Sequence, residues 1–216
     1  MHSPRPRVPA CLLAACLLGS AIAATPAEAA SKTYPSGAVY EGEMSGGKPH
    51  GQGVILFPDG KSRYEGAFRD GALQGYGRII DATGAITYEG HVVGGLRNGT
   101  GRAFYATSTY EGSFADDKRH GKGTLRGDDG YVYTGDWQAG QRHGTGRETL
   151  GDGGIYEGEF RADTWHGTGR FTFPDGAVYA GRFTAGTATG RGRLTHADGT
   201  VQEGLFADFR YLGPAD

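Results

Sequence analysis

The chain lacks the features of several common classes of protein. Its two cysteines, Cys11 and Cys16, both lie in the first 30 residues, so the rest of the chain has no thiol with which to form a disulfide. Basic residues number 22 and acidic residues 24, and this balance gives no bulk positive charge for nucleic acid. Prolines number only 9, too few for a proline-rich disordered segment.

Glycine and aromatic residues are what the chain has in excess. Glycine occurs 41 times in 216 residues, and aromatic residues make up 11% of the chain. Each glycine inside a helix costs about 1 kcal/mol relative to alanine, so long helices are disfavoured. Disordered segments are poor in aromatic residues. We therefore expect an ordered, β-rich chain with many turns.

The first 24 residues have the pattern of a secretory signal peptide. Arg5 and Arg7 precede an apolar run at residues 10–18, and the Ala-Ile-Ala pattern at 21–23 offers a cleavage site. The run is shorter than the roughly 20 apolar residues of a spanning helix. We expect a bacterial protein exported to the periplasm or cell envelope. An uncleaved anchor is the alternative, and residues 13–16 resemble a lipobox that would place a lipid on Cys16.

One unit of about 23 residues repeats along the rest of the chain. Its first mark is an aromatic-x-Gly tripeptide, and successive copies begin 24, 24, 22, 23, 23, 23 and 23 residues apart. The tripeptides begin at Tyr40, Tyr64, Tyr88, Tyr110, Tyr133, Tyr156 and Tyr179, with a degenerate copy at Gln202. A Gly-x-Gly follows each tyrosine by eleven residues. Seven full units and a partial eighth share this spacing, which indicates a repeat protein.

Each unit reads as a β-hairpin. At residues 156–160 the Tyr, Gly and Phe alternate with two Glu, so the aromatic residues share one face of a strand. Residues 167–173 alternate in the same way, and the Pro-Asp-Gly at 174–176 predicts a turn. The period of two predicts strands throughout and no helices.

Tyr-Glu-Gly-Glu-Phe, a polar turn, His-Gly-x-Gly and Pro-Asp-Gly together resemble the MORN (membrane occupation and recognition nexus) repeat. The resemblance covers about residues 34–206. It implies an all-β fold, an elongated and twisted single-layer sheet of about eight stacked hairpins with an aromatic groove. The expected organisation is a signal peptide at 1–24, a short lead at 25–33, the repeats at 34–206, and a cap or tail at 207–216.

The aromatic positions have two interpretations. In a single sheet the rings must pack against neighbouring repeats, which makes them core. A partly open row of rings would also accept a peptide or helix. The residues predicted to line such a partner groove are Tyr64, Phe68, Tyr88, Tyr110, Phe114, Tyr133, Trp137, Tyr156, Phe160, Tyr179 and Phe183.

The opposite face carries charge. Glutamates recur on the first strands and arginines on the second, which predicts pairing across strands worth about 0–1 kcal/mol for each exposed pair. The densest local cluster is at residues 116–122. Its basic members Lys118, Arg119 and Lys122 form either a contact for an anion or a solvated hairpin turn.

No residue pattern predicts catalysis, a cofactor or a metal. The Gly-x-Gly copies do not open helices, as dinucleotide-binding loops do. Histidines at one repeat position are about 9.5 Å apart, too far to share a zinc ion. The apolar tail at 206–212 predicts either a folded-back cap or a homodimer contact.

These observations favour a non-catalytic scaffold of the cell envelope that binds a protein through the repeat groove. The alternative is a peripheral membrane module, because the resemblance implies recognition of acidic phospholipid in some relatives. No binding of nucleic acid is expected.

Overall fold

The computed structural model describes residues 29–215, which form a single sheet of seventeen strands. Every strand pairs antiparallel with the next along the chain, and the sheet is open. The strands are β1 Ala29–Thr33, β2 Val39–Ser45, β3 Lys48–Leu56, β4 Arg63–Arg69, β5 Ala72–Ile80, β6 Ile86–Val93, β7 Leu96–Phe104, β8 Ser108–Ala115, β9 Lys118–Gly127, β10 Val132–Gln138, β11 Gln141–Thr149, β12 Ile155–Arg161, β13 Thr164–Thr172, β14 Val178–Thr184, β15 Thr187–Thr195, β16 Val201–Ala207 and β17 Arg210–Gly213. The predicted all-β stack of eight hairpins is confirmed, with β1 added at its start.

Tight two-residue turns close the hairpins. In the β8–β9 turn, Asp116 and Asp117 have φ of 47° and 65°. Positive φ at both positions is the geometry whose twist matches paired antiparallel strands. Aspartate and glycine tolerate it, and these two residue types recur at the turns.

A bulge follows the first repeated glycine in each of the first seven hairpins. In β12 and β13, Gly158 faces Gly169 across the strands, and the register then shifts before Glu159 pairs with His166. The shift leaves Phe160 facing Trp165. Phe160 lies four residues after Tyr156 and therefore shares its face of the sheet, which we call the aromatic face. The opposite face is called the polar face.

The repeat tyrosines are seated directly on glycine backbone. A Cβ added at Gly169 would lie 2.5 Å from the Tyr156 hydroxyl oxygen and 2.6–2.7 Å from atoms of its ring. The Tyr156 hydroxyl crosses the hairpin and donates to the carbonyls of Glu159, at 2.9 Å, and His166, at 3.2 Å. Only a residue without a side chain leaves this space, which explains the repeated glycine.

The rings of neighbouring hairpins form a continuous layer. Each repeat tyrosine meets the ring of its own hairpin and of the next edge to face, with centroids 4.9–5.4 Å apart. Such a pair contributes about 0.5–1.5 kcal/mol beyond area burial. The first and third hairpins depart from this pattern, because Met44 and Val92 take the place of the second ring. The layer is the core of a protein that has one sheet.

The C-terminal tail folds back on the repeats. Strand β17 pairs with β16, and the Phe209 ring lies 5.4 Å from Phe171, 5.1 Å from Phe173 and 5.4 Å from Tyr179. The cap interpretation of the tail therefore describes this structure, while Leu212 stays 55% exposed. The homodimer interpretation stays a prediction.

The N-terminal predictions fall largely outside the described residues. The signal peptide at 1–24 and the lipid site at Cys16 both lie there. Within residues 29–215, no helix has the length and apolar character needed to cross a membrane.

Candidate functional site

The rings predicted to line a partner groove are buried. All eleven, from Tyr64 to Phe183, are 0–4% exposed. Their interpretation as core is confirmed, and the expectation that the rings themselves present an open groove is corrected. The physical reason is mutual packing, since each ring rests on glycine backbone beneath and on the next hairpin at its side. Other side chains form the outer surface of the aromatic face.

Three arginines on consecutive hairpins cover the rings. Arg97, Arg119 and Arg142 occupy the same position on β7, β9 and β11, and each is half-buried. We call them the arginine row. The Arg119 guanidinium lies 4.1 Å from the Trp137 ring centroid, and Arg142 lies 5.4 Å from that of Phe160. A guanidinium over a ring face gains about 0.5–2 kcal/mol from the ring quadrupole.

The members of the row differ in how their charge is neutralised. Arg97 forms an ion pair with Asp117, the turn residue of the next hairpin, at 3.0 Å. Arg142 likewise pairs with Asp163 at 3.2 Å. The equivalent turn position beside Arg119 is Gly140, which has no carboxylate, and Arg119 donates to its carbonyl at 2.9 Å. Among the described residues, no ion pair includes Arg119, so its positive charge stays uncompensated on the aromatic face.

A buried carboxylate lies beside the end of the row. Glu148 is only 4% exposed and occupies a position that apolar residues fill in the other hairpins. Its oxygens accept from the Tyr131 hydroxyl at 2.7 Å, from Trp165 Nε1 at 2.5 Å and from Arg142 Nη1. Three donors satisfy the buried charge, which would otherwise be costly. The network ties the fifth hairpin to the sixth.

The network changes the acidity of its members. Burial, followed by the hydrogen bond to the Glu148 carboxylate, raises the pKa of Tyr131 far above its ordinary value. Burial opposes the charged form of Arg142, but Glu148, Tyr131 and Asp163 together outweigh it and raise the arginine pKa. Both groups therefore keep their protons at all physiological pH values, and Arg142 stays cationic.

The sequence predicted the Glu–Arg pairing of the polar face, and the strand register confirms it. Carboxylate and guanidinium alternate across the strands in one row, with ion pairs at 3.0 Å for Arg78–Glu89 and 3.2 Å for Arg147–Glu157. We call this row the charge ladder. Its positions are Glu41, Val54, Glu65, Arg78, Glu89, Arg102, Glu111, Thr124, Thr134, Arg147, Glu157, Arg170, Ala180, Arg193 and Glu203.

The basic cluster predicted as one anion contact is split by the sheet. Arg119 lies on the aromatic face over Trp137, as described above. Lys122 lies on the polar face, where its Nζ pairs with Asp136 at 2.6 Å. Lys118 is exposed at the turn. The expectation of a single contact is corrected, because Arg119 and Lys122 are three residues apart on one strand and therefore point to opposite faces.

The remaining titratable groups form no metal cluster in the part of the chain that the structure describes. The repeat histidines stand near the bulges, where the His50 carbonyl lies 3.5 Å from the Tyr40 hydroxyl that donates to it. Sequence reasoning missed the arginine row and Glu148. Aligning the units would have found both, since three successive units have arginine nine residues after the tyrosine.

Comparison with known families settles the nature of the repeat. The MORN repeat family matches seven consecutive segments, at residues 40–62, 64–86, 88–109, 110–130, 133–155, 156–178 and 179–201. The chain belongs to the MORN repeat family. MORN repeats are generally modules of interaction with proteins or membranes. No curated protein matches the sequence significantly.

Two solved structures are similar to this MORN chain. One is the SAS-4 (dCPAP) TCP domain of Drosophila melanogaster in complex with a proline-rich motif of Ana2 (dSTIL), at 15% identity and a TM-score of 0.43, covering 85% of this chain and 96% of that one. The other is the TCP10 domain of Danio rerio CPAP with a STIL peptide, at 15% identity and a TM-score of 0.25, covering 82% and 99%. The peptides are partners of those domains.

Proposed function

We propose that this MORN protein is a non-catalytic interaction scaffold of the bacterial cell envelope, which binds a partner protein on its aromatic face. The arginine row carries the proposal. Three planar guanidiniums and the half-buried Trp165 lie at one repeat position on β7, β9, β11 and β13, directly above the buried rings. Arginine and tryptophan are the residues most enriched at the energetic centres of protein interfaces.

The row also indicates the chemistry of the partner. Arg97 and Arg142 already have aspartate partners, whereas Arg119 has only a carbonyl. A carboxylate supplied by a partner at Arg119 would form a charge-assisted hydrogen bond beside an apolar ring. The row is held rigid by the rings below and by the turn residues of the next hairpin, so binding would order little extra side-chain freedom.

The envelope location rests on the pattern of the first 24 residues, and the absence of catalysis rests on the repeat nature of the carboxylates. Each Glu of the charge ladder has an equivalent in other hairpins, and acid–base catalysis needs groups whose environments set them apart. The scaffold therefore offers surface and rigidity to its partner.

Photo-crosslinking from two faces of one strand tests the proposal. A photo-reactive amino acid is placed at position 119, on the aromatic face of β9, or at position 122, on its polar face, in cells that make the protein. We expect one discrete crosslinked protein from position 119 and none from position 122. The same product from both positions, or from 122 alone, would contradict binding on the aromatic face.

A purified partner then permits a quantitative test. Replacing Arg119 with alanine removes the uncompensated cation, and the affinity should fall about tenfold or more, as for the loss of one hydrogen bond to a charged group. Lys118→Ala is the matched control at the neighbouring exposed position. Equal losses in the two variants would show that only general charge matters.

A further inference from the structure

Two neighbouring positions in the middle of the sheet interrupt the charge ladder on the polar face. Thr124 and Thr134 face each other across β9 and β10, where the pattern of the other hairpins places an arginine and a glutamate. Val54 and Ala180 interrupt the ladder at single positions only. At the threonine pair, and nowhere else among residues 29–215, a positive and a negative charge of the ladder are missing side by side. We call this place the threonine gap.

The carboxylate on one side of the threonine gap has no counter-ion. Glu111 stands beside Thr124, and it forms no ion pair within the described part of the chain. Its other neighbour in the ladder, Arg102, holds its guanidinium over the Phe104 ring, 5.0 Å from the ring centroid. The charge of Glu111 is therefore available to a cation that enters the gap.

A guanidinium lies on the other side of the threonine gap. Arg147 stands beside Thr134. Its Nε pairs with Glu157 at 3.2 Å, and its Nη1 donates to the Thr149 hydroxyl at 3.2 Å. Its Nη2 takes part in neither contact. Because a guanidinium carries five N–H donors, Arg147 can bind a further anion without losing these partners.

A cavity of about 660 Å³ lies over the threonine gap. The threonine pair, whose hydroxyl oxygens are 3.1 Å apart, lines it together with the glycine backbone of neighbouring strands. The charged residues that line it are Glu111, Lys122, Arg147 and Glu157. Lys122 already pairs with Asp136 at 2.6 Å. Threonine is shorter than arginine or glutamate, so the surface is recessed where the ladder is interrupted.

We propose that this cavity binds a zwitterionic peptide of two or three residues, which supplies both missing charges of the ladder. The peptide ammonium takes the place of the missing arginine beside Glu111, and the peptide carboxylate takes the place of the missing glutamate beside Arg147. These two residues stand three strand spacings apart, about 14 Å between Cα atoms, and their side chains bridge part of that distance. The remaining one to two spacings, about 5–10 Å, match two or three extended residues at about 3.3–3.6 Å each.

The charge and shape of the cavity favour this class of ligand. Two carboxylates and two cations line it, so it attracts neither a polyanion nor a polycation strongly. The threonine hydroxyls offer hydrogen bonds to the peptide groups between the two charged ends. Longer side chains border the threonine pair, so a flat bilayer surface does not reach it. The site lies on the face opposite the proposed partner surface and is independent of it.

Titration of the purified protein with triglycine, followed by NMR at low ionic strength, tests the proposal. We expect saturable binding that shifts the amide signals of Thr124 and Thr134. N-acetyl-triglycine lacks the ammonium and triglycine amide lacks the carboxylate, so each should bind about fivefold more weakly, as for the loss of one exposed ion pair. No saturable binding of triglycine, or equal affinities for the three peptides, would overturn the proposal.

A variant that removes one charge locates the peptide ammonium. Glu111→Gln should lower the affinity for triglycine about fivefold and leave that for N-acetyl-triglycine unchanged, since the acetylated peptide has no ammonium to pair. Glu65→Gln is the matched control, because this ladder glutamate pairs with Arg63 on another hairpin and does not line the cavity. Equal losses in the two variants would show nonspecific attraction and would overturn the proposal.

Restoring the ladder gives the complementary test. The combined Thr124→Arg and Thr134→Glu variant supplies both charges from the chain itself and should abolish binding of triglycine. Unchanged binding by this variant, folded as judged by circular dichroism, would overturn the proposal. If it does not fold, Glu111→Gln decides.

A zwitterionic lipid head group carries the same two charges as the peptide. Co-sedimentation with vesicles of phosphatidylcholine, alone or with one-half phosphatidylethanolamine, separates the two sources. We expect no binding to either kind of vesicle. Vesicle binding without triglycine binding would overturn the claim of a peptide ligand.

Discussion

The two faces of this sheet follow different rules. On the aromatic face, tyrosine and the glycine beneath it recur in seven hairpins, and every repeat tyrosine is buried. On the polar face, the charge ladder admits Val54, a threonine pair and Ala180 without loss of register. The strictly repeated positions hold the sheet together. The positions that vary, including the arginine row that overlies the rings, are where one MORN protein can differ from another in what it binds.

Alkaline pH should disrupt the packing of the whole aromatic face, and its effect on stability is the largest that we expect. Burial raises the pKa of Tyr88 and of Tyr110 to about 12, from 10.0. The folded state holds these protons more tightly than the unfolded state, so their contribution is complete below pH 10 and is lost as pH rises through about 12. We expect cooperative unfolding in this range, measured by circular dichroism together with tyrosinate absorbance.

On the polar face, the ionisable groups lose their contribution to stability as pH falls instead of as it rises. Hydrogen bonds from Tyr76 and then Arg78 lower the pKa of Glu89, so its contribution is present above the ordinary glutamate pKa and is lost as pH falls through the lowered value. Because the group is exposed, the same spectroscopic titration should show little unfolding there. Loss of structure in acid before any loss in alkali would contradict the contrast between the faces.

Glu148→Leu tests the one charged residue buried within the aromatic face. Leucine occupies this position in two other hairpins, but here it takes an acceptor from Tyr131, from the Trp165 indole and from Arg142, which keeps Asp163 as a partner. We expect a loss of about 3 kcal/mol, because buried donors are left unpaired and the arginine loses its buried carboxylate. The free energy of unfolding in urea measures it. A combined Glu148→Leu and Arg142→Leu variant should recover part of the loss, and no recovery would argue against a cost at Arg142.

Gly169→Ala tests the seat of the Tyr156 ring. The added Cβ would lie within 2.7 Å of ring atoms, so ring or backbone must move, at a cost of about 1–3 kcal/mol. Thr168→Ala is the matched control, since this exposed neighbour points to the polar face. Its effect on the urea midpoint should be small. Equal effects of the two variants would show that the glycine is not needed for the ring.

Arg78→Ala should have the smallest effect. Its guanidinium pairs with Glu89 at 3.0 Å on the exposed polar face, and such pairs are worth about 0–1 kcal/mol. We expect the difference from the unaltered protein to shrink further at 1 M salt, since exposed charges are screened. A loss above that range would mean that the charge ladder contributes more to stability than exposure allows.

Sequence periodicity predicted most of this fold, because each hairpin repeats the same local chemistry. The tyrosine spacing gave the hairpins, and alternation placed Glu157 and Arg170 opposite each other, as the register confirms. The prediction that the rings are exposed in a groove was wrong. Periodicity shows which face of the sheet a ring lies on, but it does not show which side chains cover that ring. Here Arg119 covers Trp137.

The misplaced basic cluster has a related cause. Lys118, Arg119 and Lys122 were grouped because they are close in sequence, whereas alternation along β9 places Arg119 and Lys122, three residues apart, on opposite faces. Glu148 was overlooked because a single exception in an apolar position is visible only after the units are aligned. Ala180 is the same kind of exception on the polar face. In a repeat protein, departures from the repeat mark the sites to examine first.

The central claim is that the aromatic face stabilises the sheet and the charge ladder does not. Its most direct test is the free energy of unfolding of two variants. One is Tyr133→Ala, and the other replaces Glu65, Glu89, Glu111 and Glu157 together with glutamine. We predict that removing the single ring lowers the free energy of unfolding by about 3–5 kcal/mol, whereas removing all four charges lowers it by less than about 2 kcal/mol. An equal or larger loss in the four-glutamine variant would contradict the account.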